Sequence, residues 1–112
     1  MTTGIASKRA RRFLSQNGKC FHCNKPMWER RIENMKSASV RLGINLGTHG
    51  WNKKMRDLRC TAEHLVPLAQ GGSSRFENIV AAHLSCNSER GIRPVEDYKS
   101  ELQSRSQPTG GG

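Results

Sequence analysis

Two short ligand pairs, far apart in the chain, restrict the fold more than any other feature of the sequence. Cys20 and Cys23 stand two residues apart in "CFHC", and His83 and Cys86 repeat that gap in "HLSC". Such a gap lets one turn present two ligand atoms to a single ion, and two such turns complete a tetrahedral Cys₃His shell. If Cys20, Cys23, His83 and Cys86 share one structural zinc, the chain between them must fold back on itself. The staple answers a need, because only 34% of the 112 residues are hydrophobic and 5% aromatic, which gives a lean core. Buried thiols without metal are the alternative. Cys60 competes for the fourth position, but it has no partner at this spacing and lies in an expected strand, so it reads as a core thiol.

The start, "MTTGIASKRARRF", carries basic residues with no apolar stretch behind them, so no signal peptide is expected. No apolar run is long enough to span a membrane. A cytoplasmic location is the expectation, and reduced thiols there favour ligation over two disulfides. A secreted, disulfide-stapled basic protein is the reading this disfavours. Nineteen Lys and Arg against nine Asp and Glu leave a formal charge of +10. That excess points to a polyanionic partner, nucleic acid first, with the run Lys8–Arg12 as a candidate for phosphate contacts.

Periodicity predicts a helix over 6–17, with Ala6, Ala10, Phe13 and Leu14 inward, Ser7 as its cap and Gly18 as its stop. A second helix is expected from Trp28 to about Leu42, followed by a glycine-rich loop, "NLGTHGWNKK", to which no role attaches. "LRCTAEHLV" and "NIVAAH" read as strands. Between them Ser74 and Glu77 have the spacing of a capping box over one turn. A helix is expected from "NSERG", limited by Pro94 unless it restarts at "PVEDYKSELQS". The residues 99–112 read as a disordered tail.

Taken in order, "CFHC", "AEHLVPLAQGG" and "ENIVAAHLSCNSERG" resemble the HNH endonuclease family of the ββα-metal superfamily, and more narrowly its members clamped by paired zinc knuckles. The resemblance implies an α+β fold. It would be a small ββα-metal (His-Me finger) core at about 57–93, stapled by the Cys₃His zinc and flanked by helices, in one nuclease domain over 1–98. It implies hydrolysis of phosphodiester bonds in DNA, with RNA as an open alternative and no membrane partner. His64 falls on the family's general base, Glu63 on the metal ligand before it, Asn78 on the central asparagine and Asn87 on the last position of the signature. His83 belongs to the knuckle in this register. A further ligand histidine of some members falls on Gly91, so it is absent here.

The residue types suit those roles. An imidazole can take a proton from water near neutral pH, and the Asn78 amide would orient the His64 ring or pin the loop. Glu63 and Asn87 make an oxygen site that favours magnesium or manganese as the catalytic cation. Arg90, three residues past Asn87, would share its helix face and clamp a phosphate. The alternative is a non-catalytic zinc module that binds nucleic acid, for which Glu63, His64, Asn78 and Asn87 would be coincidence.

Overall fold

The hairpin pairs the segments "CTAEH" and "IVAAH", and a helix follows it directly. The computed structural model describes residues 4–106. Its elements run α1 (Ile5–Ser15), α2 (Met35–Leu42), α3 (Lys53–Asp57), β1 (Cys60–His64), β2 (Ile79–His83), α4 (Leu84–Arg90) and α5 (Val95–Ser106). This is an α+β fold with a two-stranded sheet and five helices, and its centre has the order ββα.

The strands pair antiparallel, with Cys60 opposite His83 and His64 opposite Ile79. All five β2 residues are buried, as expected of a strand covered on both faces. Its outer edge is closed by side chains of α1. Gln16 exchanges two hydrogen bonds of 2.9 Å with the Ala81 backbone, and Arg12 Nε donates to Ile79 O at 2.7 Å. On the other edge, Cys60 N donates to Trp28 O at 2.7 Å. Neither side of so small a sheet is left as a template for another chain.

One core cluster gathers Phe13, Cys20, Met27, Cys60, Ala81, Ala82, Cys86 and Tyr98. A second, formed by Trp28, Ala38 and Met55, lies under α2 and α3. Trp28 Nε1 donates to Met55 O at 2.6 Å, which gives its buried N–H a partner. The stretch before the hairpin is thus a small packing unit of its own.

Several expectations change. Helix α1 starts earlier, at Ile5, with Gly4 in the cap position and no side-chain cap; the Ser7 hydroxyl instead accepts from Arg31 Nη1 at 2.7 Å. Its inner face is Arg9 and Phe13, while Leu14 is 63% exposed. Arg9 is inside because fully buried Glu29 takes its guanidinium, and a buried charge is tolerated only when paired. Residues Trp28 to Glu33 are not helical, because Trp28 bridges to Arg59 beside β1; α2 begins only after Asn34, whose side chain accepts from Ser37 N at 2.8 Å. Helix α3 was hidden in the glycine-rich loop. Its signal is Asn52, whose side chain caps Lys54 N and Met55 N.

Ser74 and Glu77 form no capping box. Phe76–Asn78 is one 3-10 turn without a side-chain cap, and the Ser74 hydroxyl turns to His64. Residues 99–106, expected in a disordered tail, belong to α5. Tyr98, only 1% exposed, anchors that helix against the core, and Glu101 pairs with Arg93. The remaining part of the expected tail, 107–112, lies outside the described residues.

Candidate active cleft and metal centre

The knuckles meet as the spacing requires. The ligand atoms of Cys20, Cys23, His83 and Cys86 all lie within 4.8 Å of one another, a group able to hold a zinc ion. His83 Nε2 lies 2.7 Å from Pro26 O, while Nδ1 sits 3.2 Å from Cys23 Sγ. A proton on Nε2 satisfies the carbonyl and leaves Nδ1 as the ligand, the outer-shell arrangement that fixes a metal-binding imidazole. Backbone N–H groups of His22 and His83 both point at Cys20 Sγ, at 3.4 Å. Hydrogen bonding with Cys23, then with Cys86, holds the Cys20 thiol far below its ordinary value despite its burial. A group biased toward thiolate is what a zinc ligand needs.

Cys60 stands apart from this set. It is 2% exposed, and burial, with the Glu29 carboxylate adding to it, pushes its thiol up to about 12. His22, inside the first knuckle turn, is not in the ligand group either. Its ring is buried edge-on to Tyr98, with centroids 5.0 Å apart, and its Nε2 is hydrogen-bonded to Glu63 Oε2.

At the far end of the hairpin a cleft of about 220 Å³ is lined by Ala62, Glu63, His64, Pro67, Leu68, Asn87, Arg90 and Gly91. The fold therefore brings Glu63, His64, Asn87 and Arg90 to one place. His64, at the last position of β1, has Nε2 3.1 Å from Ser74 Oγ. Asn87, on α4, donates through Nδ2 to Thr61 Oγ1 at 3.2 Å and Ala62 O at 3.4 Å. Those bonds anchor the amide nitrogen and spare the Oδ1 acceptor.

The Asn78 side chain hydrogen-bonds the loop and not the imidazole. Its Oδ1 accepts from Val66 N at 2.9 Å, and its Nδ2 donates to Val66 O at 3.0 Å and Ser73 O at 2.7 Å. Of the two roles open to it, it pins the loop. Gly72 sits in the same knot, where a Cβ would come within 1.8 Å of Val66 O. Backbone this close leaves room only for glycine.

Arg90, expected to clamp a phosphate, is engaged within the protein. It is 2% exposed, and its guanidinium donates to Glu63 Oε1 at 2.9 Å, His64 O at 2.8 Å, Leu65 O at 2.8 Å and Arg93 O at 2.7 Å. Arg90 does share the Asn87 face of α4, and the end of β1 meets that face with the carbonyls of His64 and Leu65. Glu63, 3% exposed, thus has one oxygen bonded to Arg90 and the other to His22. A carboxylate offers about four lone-pair sites, so each oxygen keeps one.

The residues that spacing alone did not find are Ser74 and His22. Ser74 had been assigned to a cap, and His22 was hidden by the cysteines around it. Residues 50–93 match the model of the family described as HNH endonuclease. No curated protein and no solved structure matches the chain.

Proposed function

We propose that the HNH endonuclease domain carried by residues 50–93 is active as a metal-dependent endonuclease that hydrolyses phosphodiester bonds of DNA. The observation that carries this reading is the meeting of Glu63, His64 and Asn87 in one cleft, drawn from a strand end and a helix well separated in sequence. With Nε2 committed to Ser74, His64 has Nδ1 to accept the proton of an attacking water. Asn87 Oδ1 and the spare lone pairs of Glu63 are hard oxygen donors, suited to magnesium or manganese rather than to a second zinc. Bound there, such an ion would stabilise the charge that develops on the phosphate. Arg90 and His22 hold the Glu63 carboxylate still, and Asn78 keeps the loop that delivers Ser74. A zinc ion held by this group would clamp α4 and the first knuckle against β2, in one domain that also takes in α5.

DNA as the substrate, rather than RNA, rests on the family. No helix among the described residues is long and apolar enough to cross a membrane. One observation favours the second reading, a non-catalytic zinc module for nucleic acid: Glu63 is already engaged by Arg90 and His22. Incubating the zinc-loaded chain with supercoiled plasmid and single-stranded RNA, across magnesium, manganese, nickel and calcium, decides between them. Nicked or linear plasmid with magnesium or manganese supports the endonuclease; no cleavage of either polymer under any ion supports the binding module.

A further inference from the structure

Part of the positive charge in this chain is engaged within the fold. The basic run of α1 was the first candidate for phosphate contacts, yet Arg9 is buried on Glu29, Lys8 donates to Ser74 O, and Arg12 donates to Ile79 O and Phe76 O. Arg90 is buried as described, and Arg93 and Arg105 pair with Glu101 and Glu89. The segment "WNKKMR" differs. Trp51 is 54% exposed, an uncommon state for so large an apolar side chain. Lys53, Lys54 and Arg56 follow it in α3, and all three are exposed. Asp57 is 3.3 Å from Lys53 Nζ and 3.9 Å from the Arg56 guanidinium. Exposed pairs of this kind are weak and exchange readily for a phosphate.

We propose that Trp51, Lys53, Lys54 and Arg56 form the surface on which a DNA strand lies as it enters the cleft. An indole beside a cluster of cations is the combination that takes single-stranded nucleic acid: cations follow the phosphates and a base stacks on the ring. The placement fits the cleft. Helix α3 meets the start of α4, where Ser85 Oγ donates to Asp57 O at 3.2 Å and Leu84 N donates to Arg59 O at 2.9 Å. Asn87 lies two residues further along α4, about 3 Å along the helix axis. Helix α3 is thus packed against the helix that carries Asn87 into the cleft. The inference takes its polymer, DNA, from the endonuclease reading, but it concerns binding alone.

The test reads binding on the His64→Ala chain, so that cleavage plays no part. Affinity for a labelled single-stranded oligonucleotide is followed by anisotropy over a range of salt. The triple substitution Lys53→Gln, Lys54→Gln, Arg56→Gln should weaken binding at least about tenfold at low salt. It should also reduce the magnitude of the log–log salt slope by about 2, since each neutralised phosphate on a single strand contributes about 0.7. Both tryptophans emit, but Trp28 is buried at 4% exposure and shielded from stacking, so quenching on binding reports on Trp51; saturating oligonucleotide should quench part of the emission, and Trp51→Phe should abolish that quench. A wild-type slope in the triple variant, or unquenched emission at saturation, overturns the proposal. A chain that binds as described and never cuts would sink the endonuclease reading and leave this surface standing.

Discussion

Arg90 and Glu63 face each other in the floor of the cleft, each side chain 2% exposed, with Nη1 donating to Oε1 at 2.9 Å. The same guanidinium collects the carbonyls at the end of β1, so helix and hairpin are locked by one side chain. Removing one partner of a buried pair leaves an unpaired charge, which typically costs about 3–5 kcal/mol. Arg90→Ala should therefore lower the midpoint of chemical denaturation sharply in the zinc-loaded protein. A phosphate clamp would behave otherwise, with full stability and weakened DNA binding only.

The metal centre gives a prediction about cysteines. Cys60→Ser should keep one zinc per chain, and Cys23→Ser or Cys86→Ser should lose it together with much of the fold. The Cys60 thiol, raised to about 12, stays protonated far above neutral pH, and only a thiolate attacks an alkylating reagent. Native zinc-loaded protein at pH 8 should thus leave Cys60 unlabelled by maleimide, with labelling on unfolding. Mass spectrometry of the labelled peptide reads both states; rapid native labelling of Cys60 would contradict its placement.

The loop between the strands should be intolerant of small changes. Gly72→Ala forces the backbone away from Val66 O, and Asn78→Ala removes three hydrogen bonds that close the loop. Each should destabilise the protein by roughly 1–3 kcal/mol. Faster amide exchange at Val66 is the expected local mark in Asn78→Ala. Unchanged exchange would mean the loop holds by other contacts.

The zinc group and the strands are legible in the sequence, and what is not has a physical cause. Zinc spacing is local chemistry repeated twice, so Cys20, Cys23, His83 and Cys86 could be read directly, and the strands show in the β-branched runs. The buried pairs of Arg9 and Arg90 are not legible in the sequence, because only tertiary contact reveals Glu29 and Glu63 as their partners. Ser74 was taken for a cap because its spacing to Glu77 fits one; that its hydroxyl meets His64 depends on a loop closed by Asn78. Helix α3 was lost among glycines, although Asn52 carried its signal.

Ser74 gives the next prediction. If its hydroxyl holds the His64 ring in one tautomer, Ser74→Ala should slow cleavage by about 10- to 100-fold, the usual cost of a misaimed catalytic group. Ser74→Thr should restore most of it. Nitrogen NMR of the imidazole provides a readout apart from activity: a single tautomer in wild type should become a mixture in Ser74→Ala. An unaltered tautomer and rate would reduce the contact to packing.

Single-turnover cleavage of supercoiled plasmid by His64→Ala tests most directly whether His64 activates water. The variant should fold, retain its zinc and bind DNA like wild type, yet cleave slower by about 10²–10⁴-fold, the range expected for loss of a general base. Cleavage at the wild-type rate by folded, zinc-loaded His64→Ala would contradict the account and leave this histidine a structural end to β1.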